Sequence, residues 1–200
     1  MGPAMPIEVL PLEKARLEDY LHFFDRVAFT DNPDWAGCYC LFYHVPEGEW
    51  EARSGARNRE GAAGLIRDDG LSGFLDYEGG KPVGWCNANR KERYALLAGS
   101  RELWDPREDG SRTLSVVCFV IAPEHRRRGI AFSLLSAACA AAQVQELERV
   151  EAYPRKQART AAQHYHGPLE LYLGQGFAVY RELPDYWIVR RSLRPGQAAM

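Results

Sequence analysis

The sequence predicts a single mixed α/β domain built on one central sheet. Strand-like apolar segments and amphipathic helical segments follow one another along 200 residues, and 46% of these residues are hydrophobic, which is enough for a substantial core. The segment Glu78-Gly79-Gly80-Lys81 joins two strand-like segments directly, and paired glycines supply the positive φ angles of a tight hairpin. Because hairpins interrupt the β-α alternation, the pattern favours a mixed sheet flanked by helices over a doubly wound parallel fold.

Four segments in the first third of the chain follow the periodicities of regular structure. Residues 7–12 resemble a short strand, and apolar residues at helical spacing predict a helix over residues 17–29. Residues 38–45 are apolar on both faces, which is typical of a strand covered on both sides of a sheet. Residues 52–66 are expected to be helical, although three glycines weaken the pattern.

The middle of the chain predicts a hairpin, a loop and the strongest strand-helix pair. Segments 73–77 and 82–87 flank the Gly-Gly turn as the two arms of the hairpin. Residues 99–112 are charged and contain proline, so we expect an exposed loop. Residues 114–121 form the most apolar strand, and residues 128–146 form the most regular helix.

The last quarter predicts a short strand, an irregular segment, a helix and two closing strands. These elements lie at residues 150–153, 155–167, 168–174, 178–183 and 187–192. The helix is opened by proline and closed by glycine, as the preferences of helix ends require. We expect one domain over residues 6–193 and a flexible tail over residues 194–200.

Composition limits the kinds of partner. The formal net charge is −2, which provides no global attraction to nucleic acid or to an anionic membrane. No apolar run approaches the roughly 20 residues of a membrane helix, and the N-terminus lacks the pattern of a secretory leader. Five cysteines, an odd number in mostly apolar segments, are expected to be reduced thiols of a cytoplasmic protein.

The junction between the apolar strand and the long helix predicts an anion site. Arg126-Arg127-Arg128-Gly129 lies at the N-terminus of the helix, where free backbone N–H groups and the helix dipole favour a phosphate. Gly129 lets the backbone approach a ligand without a side-chain clash. Taken alone, three arginines would indicate a solvated basic turn; the strand, glycine and helix around them favour phosphate binding.

Three motifs in the right order resemble the GNAT superfamily of N-acetyltransferases. Arg126-x-x-Gly129-x-Ala131 is similar to its acyl-CoA motif, Gln/Arg-x-x-Gly-x-Gly/Ala. Tyr172-Leu-Gly-Gln-Gly176-Phe177 is similar to its later Tyr-x-x-x-Gly-Phe segment, and the hairpin with Val83-Gly84 is similar to its paired central strands. The resemblance implies a mostly antiparallel central sheet with one splayed parallel pair of strands.

The resemblance implies an acetyl-CoA site and no metal. The pyrophosphate of coenzyme A would lie on the turn. The pantetheine arm of coenzyme A would follow the strand before the turn and form hydrogen bonds with the main chain of Phe119 and Ile121. The implied ligands are Phe119, Val120, Ile121, Arg126, Arg127, Arg128, Gly129, Ile130 and Ala131.

The resemblance also implies that Tyr172 is the general acid that protonates the departing thiolate, since a phenol is protonated at neutral pH. Many relatives carry a glutamate base on the strand before the turn, where this chain has Ser115. Glu151, on the neighbouring strand, is our first candidate for the base. The other candidates are His44, His164 and His166.

Several alternatives stay open at this point. Cys38, Cys40 and His44 share one face of the predicted strand and with Cys86 form a weak zinc pattern; buried cysteines behave more often as small hydrophobes. The aromatic residues of the first half either pack in the core or wall an acceptor pocket: Trp35, Tyr39, Phe42, Tyr43, Trp85 and Tyr94.

The resemblance implies an N-acetyltransferase whose acceptor is a small-molecule or peptide amine, and a homodimer would be in keeping with it. The alternative is a non-catalytic acyl-CoA-binding or regulatory module that retains the fold, and the absence of a strand carboxylate supports that alternative.

Overall fold

The structure is a computed structural model that describes residues 7–160 and 162–193. A seven-stranded sheet in the order β1-β2-β3-β4-β5-β7-β6 runs through the molecule. Its strands are β1 (Ile7–Pro11), β2 (Gly73–Glu78), β3 (Lys81–Arg90), β4 (Thr113–Ile121), β5 (Arg149–Ala152), β6 (Ala178–Glu182) and β7 (Trp187–Ser192). Only the β4–β5 pair is parallel among these strands, so the predicted mixed sheet with one parallel pair is confirmed.

Helices cover both faces of the sheet. The α-helices are α1 (Leu17–His22), α2 (Gly55–Arg67), α3 (Ala95–Gly99), α4 (Ile130–Val144) and α5 (Leu169–Leu173), and a π-helical turn, Phe23–Val27, continues α1. Short 3₁₀ turns lie at Lys14–Arg16, Pro33–Trp35, Phe42–His44, Trp50–Ala52, Lys91–Arg93, Gly110–Arg112, Pro123–His125 and Ala162–His166. The side chain of Ser54 caps α2 by accepting a hydrogen bond from the Arg57 N–H at 3.2 Å.

Two apolar cores lie on opposite faces of the sheet. One packs α1 and α2 against the sheet around Tyr20 and Trp85, and the other packs α4 around Leu134 and Val150; all four side chains are fully buried. The exclusion of these apolar side chains from water is the main force that holds the helices on the sheet.

A β-bulge divides β4 into two halves. The register between β3 and β4 shifts between Asn87 and Ala88, so that Val117 is left without a partner on β3. As a result, the neighbouring side chains of Val117 and Cys118 both join the α1–α2 core, instead of alternating between the two faces. A bulge twists its strand locally, and here the pairing of β4 with β5 ends one residue earlier, at Val116.

The predicted strand over residues 38–45 is wrong. Tyr39 and Cys40 have positive φ angles of 43° and 46°, and the chain then forms the 3₁₀ turn Phe42–His44. The segment is apolar because Cys40, Leu41 and Tyr43 pack into the α1–α2 core as irregular chain. A short apolar run of this kind does not distinguish a buried strand from a buried loop.

The hairpin, the α4 helix and the two closing strands are confirmed. The loop expected at residues 99–112 is less exposed than its charge suggests, because Gly110 is buried against the Trp104 ring. The predicted tail over residues 194–200 lies outside the described residues. Within the described part of the chain, no helix is both long and apolar enough to cross a membrane.

Candidate active site

A cleft of about 1530 Å³ opens along the second half of β4. Its sides are formed by parts of the segment from Phe29 to Asn58 and by residues between Arg159 and Pro168, and the two segments meet where the Trp35 and Tyr165 rings lie 5.7 Å apart. The floor is formed by β4 from Cys118 to Ile121, and one end reaches the turn before α4, where Arg126 and Arg127 line it. The cleft therefore joins the free edge of a strand to a helix N-terminus.

The edge of β4 is open because β5 is shorter than β4. Parallel pairing runs only from Thr113–Arg149 to Val116–Ala152. On the other side of β4, the Ala122 N–H donates to the Val83 carbonyl at 2.9 Å. Since backbone groups alternate in direction along a strand, Val120 also faces β3, whereas Phe119 and Ile121 direct their N–H and carbonyl groups to the open edge.

The turn before α4 presents backbone N–H groups to the cleft. Arg127 and Gly129 have positive φ angles of 58° and 86°, and α4 begins at Ile130. Successive N–H groups in such a turn, together with the unsatisfied N–H groups of the first helical turn, form a concave anion site. No atom lies within 4 Å of the position that a Cβ on Gly129 would occupy, so this side of the turn is open to a ligand.

The three arginines of the turn have three different environments. Arg126 forms a two-pronged ion pair with Asp31, at 2.5 and 3.1 Å, and its Nε donates to the Ile121 carbonyl at 3.1 Å. The Arg126 guanidinium lowers the pKa of Asp31. Arg126 therefore fixes the segment around Asp31 to the end of β4.

Arg128 turns away from the cleft and pairs with Glu78, which also contacts the His125 ring. Arg127 is exposed, lines the cleft and forms no ion pair with any residue that the structure describes. Of the three guanidinium groups, that of Arg127 is the one left available to an anionic ligand.

Tyr172 lies beneath the cleft wall and not on its surface. Its side chain is fully buried, and its hydroxyl donates to the His166 carbonyl. A Cβ on Gly167, which lines the cleft, would lie 3.3 Å from the Tyr172 hydroxyl oxygen, so only the His166–Gly167 backbone separates that hydroxyl from the cleft. Burial raises the pKa of Tyr172 well above its ordinary value, which keeps the phenol protonated.

Glu151 lies in the closed part of the sheet, where it is fully buried. Its carboxylate accepts hydrogen bonds from Lys91 Nζ at 2.6 Å, from the Tyr153 hydroxyl at 2.7 Å and from Arg190 Nε at 2.6 Å. Arg190 also contacts Glu108 at 2.6 Å. The surroundings of Glu151 are therefore those of a buried ion-pair network, and its predicted role as a base is not tested by this arrangement.

The model of the acetyltransferase (GNAT) family matches residues 19–167. The chain belongs to the GNAT family. This match covers the β2–β3 hairpin, the open half of β4 and the turn before α4.

Solved structures show the same fold at low sequence identity. PaiA N-acetyltransferase from Thermoplasma acidophilum, in complex with coenzyme A, is 13% identical, with a TM-score of 0.58 over 94% of this chain and 99% of that one. YncA, a putative acetyltransferase from Salmonella typhimurium with acetyl-CoA, is 15% identical, with a TM-score of 0.55 over 98% of each chain. The ribosomal-protein-S18-alanine N-acetyltransferase from Escherichia coli is 13% identical, with a TM-score of 0.52 over 98% and 99%. No curated protein matches the chain by sequence.

The histidines of this GNAT domain differ in burial. His44 accepts a hydrogen bond from the Asn87 amide at 3.3 Å, and burial lowers the pKa of His44 to about 4. His166 is buried against the Tyr43 hydroxyl at 3.1 Å, and burial, with a smaller effect of Arg155, lowers its pKa to about 3. Both rings are therefore neutral at pH 7. His164 is exposed on the cleft wall.

The aromatic residues of the first half divide between core and cleft. Trp85 and Tyr94 are fully buried, and Tyr39 is buried with its hydroxyl bonded to Asp25. The residues that line the cleft are Trp35, Phe42 and Tyr43. Sequence reasoning missed three further aromatic residues that line the cleft, Phe29, Trp50 and Tyr165, although Tyr165 stands between the two candidate histidines 164 and 166.

The weak zinc pattern is not assembled in the described part of the chain. No group of three or more histidine, cysteine or acidic side chains there is arranged to hold a metal ion. All five cysteines are free thiols, and Cys38, Cys40 and Cys118 line the cleft.

Proposed function

We propose that this GNAT protein is an N-acetyltransferase that transfers the acetyl group of acetyl-CoA to a small-molecule or peptide amine. The observation that carries the proposal is one continuous cleft that runs from the open edge of β4 to the turn before α4. The structural relatives from T. acidophilum and S. typhimurium contain coenzyme A and acetyl-CoA, respectively, which supports the choice of donor. The five free thiols are in keeping with our expectation of a cytoplasmic protein.

The residues at the cleft fit such a donor. Phe119 and Ile121 would bind the pantetheine amides through main-chain groups, as an added strand would, while Val120 keeps β4 attached to β3. The N–H groups from Arg127 to Ala131 would bind the pyrophosphate, with the Arg127 guanidinium beside them. Arg126 and Arg128 support the site through Asp31 and Glu78. Acetyl-CoA supplies a thioester carbonyl that is open to attack by a neutral amine.

Tyr172 is proposed to hold the proton that the departing thiolate takes. Its raised pKa keeps that proton in place, and the contact between the Phe119 and Tyr172 rings, 6.5 Å between centroids, puts the phenol beside the open half of β4. For this role the Tyr172 hydroxyl must give up its bond to the His166 carbonyl and reach past Gly167.

Glu151 remains our proposed base, and its route to the cleft would pass through neighbouring hydroxyls. The Tyr153 hydroxyl bonds Glu151 and lies 2.9 Å from the Ser115 hydroxyl on β4. His164 is the alternative that is exposed on the cleft wall.

The test is the release of free coenzyme A from acetyl-CoA in the presence of an amine panel, for the wild-type protein and Tyr172→Phe. We expect turnover by the wild type, a fall of at least tenfold in kcat for the variant, and an acetyl-CoA Kd within about twofold of wild type. Equal kcat values, or a parallel loss of kcat and affinity, would remove Tyr172 from the role of acid.

The second candidate function is an acyl-CoA-binding module without turnover. The observation that favours it is that the side chains of both Tyr172 and Glu151 are fully buried away from the cleft surface. Tight binding of acetyl-CoA with no release of coenzyme A above the rate without protein, for any amine tested, would select this alternative.

A further inference from the structure

Five aromatic side chains that line the cleft are in ring contact with one another. They are Trp35, Phe42, Tyr43, Trp50 and Tyr165, and we call them the aromatic lining. Trp35 and Phe42 are 37% and 36% exposed, although both are large and apolar. Exposed aromatic groups inside a cleft are typical of a ligand site, since a ligand would bury their surface.

The aromatic lining has two walls, each made of rings in contact. On one wall, Trp35 packs against Tyr165 with ring centroids 5.7 Å apart. On the other, Phe42 packs edge-on against Trp50 and Tyr43 at 5.3 and 5.4 Å. In each wall the rings therefore support one another.

The polar contact between the two wall segments is neutral. The Tyr43 hydroxyl lies 3.1 Å from His166 Nε2, and this pair links the wall segments across 123 residues of sequence. Burial lowers the pKa of His166 to about 3 and raises that of Tyr43 well above its ordinary value, so neither group carries a charge at neutral pH. Neutral polar groups and thiols suit an uncharged ring better than a second ammonium group.

Apart from Arg127 at the turn before α4, the charged side chains that line the cleft balance one another. Asp34 and Glu51 contribute two anionic groups, and Arg53 and Arg159 contribute two cationic groups. Asp31, a third carboxylate, is already paired with Arg126. A polycationic acceptor would require an excess of carboxylates to compensate its charges, and the cleft has none to spare.

We infer that the acceptor is a monoamine carried on a flat aromatic ring, an inference that rests on the proposed function. The ring lies between the Trp35–Tyr165 wall and the Phe42–Trp50 wall, and its single amino group points along the floor to the open edge of β4. Stacked and edge-on ring contacts favour an aromatic body over a saturated one of the same size.

The test compares two amines that differ only in their ring, 2-phenylethylamine and 2-cyclohexylethylamine, with spermidine as a polycation. We expect the aromatic amine to have a kcat/KM at least threefold above its saturated counterpart and at least tenfold above spermidine. In Trp35→Leu and Phe42→Leu the preference between the two ring amines should fall below twofold, while the acetyl-CoA Kd stays unchanged. Phe132→Leu is the matched control, because Phe132 is 52% exposed and lies outside the cleft.

Calorimetric titration of both ring amines, in the presence of coenzyme A, separates this inference from the proposed function. Selective binding of 2-phenylethylamine without turnover would sustain the aromatic site and contradict the acetyltransferase. Turnover in which spermidine or the saturated amine equals or exceeds the aromatic amine would sustain the acetyltransferase and overturn the inference. Loss of binding selectivity in Phe132→Leu to the same degree as in Trp35→Leu would also overturn it.

Discussion

At the scale of single residues, the three neighbouring arginines of the turn before α4 differ because their partners in the folded protein differ. Arg126 and Arg128 are paired with Asp31 and Glu78, which lie 95 and 50 residues away in sequence. The sequence pattern places all three arginines at the helix start, but it contains no signal for these distant partners. Only the structure therefore distinguishes Arg127 from its neighbours.

The first prediction follows from this division. Arg127→Gln should raise the acetyl-CoA Kd about threefold to fivefold, since an exposed ion pair is worth up to about 1 kcal/mol. Arg128→Gln should change the Kd by less than twofold, because the Arg128 guanidinium is bound to Glu78. Calorimetric titration at low salt measures both, and an equal loss in the two variants would contradict the assignment.

A second residue-scale prediction concerns Glu151. Glu151→Ala leaves Lys91 and Arg190 in the interior without their shared carboxylate, and breaking a buried ion pair in this way costs about 3–5 kcal/mol. We expect urea denaturation to show a loss of that order. Exposed Glu124→Ala is the control and should lose less than about 0.5 kcal/mol.

The same variant also tests the role of Glu151 as a base. A loss of stability with kcat per folded molecule retained would assign Glu151 to the fold alone. A fall in kcat that is larger than the fraction of unfolded protein accounts for would support Glu151 as the base. A variant as stable as wild type would contradict the structural role of the network.

At the scale of elements, β4 is the part of the fold on which the site depends. Its first half is paired on both sides, and its second half is paired only with β3. The difference arises from the length of β5, which ends at Ala152, and from the bulge at Val117. The apolar composition of β4 predicts a central strand correctly, but a run of apolar residues does not encode where a neighbour ends.

The third prediction uses proline to test the direction of the β4 backbone. Ile121→Pro removes an N–H that faces the open edge, so it should raise the acetyl-CoA Kd about tenfold with little loss of stability. Val120→Pro removes an N–H that faces β3, so it should lower the thermal unfolding midpoint by several degrees. The reverse pattern, with Ile121→Pro unfolding the protein and Val120→Pro binding normally, would mean that the strand register is different.

At the scale of the whole molecule, features set by neighbouring residues can be predicted from the sequence, and features assembled from distant segments cannot. The Gly-Gly hairpin and the strand-turn-helix around Gly129 are each set within about 30 consecutive residues, and both are confirmed. The aromatic lining draws on Trp35 and Tyr165, 130 positions apart in the sequence, and no periodicity connects them. The apolar pattern around Cys40 predicts a strand wrongly, because burial in the core makes a segment apolar even when it has no partner strand.

The central claim is that the turn before α4 binds the donor, and titration of acetyl-CoA tests it most directly. The measurement compares the wild type, Gly129→Glu and a matched control, Gly48→Glu, because both glycines have a positive φ, 86° and 84°, and open space at the Cβ position. Both variants bear the same backbone strain of about 1–2 kcal/mol, but only Gly129→Glu places a carboxylate at the anion site. We predict micromolar binding by the wild type and Gly48→Glu and no measurable binding by folded Gly129→Glu. Wild-type affinity in Gly129→Glu, or no binding by the folded wild type, would contradict the account.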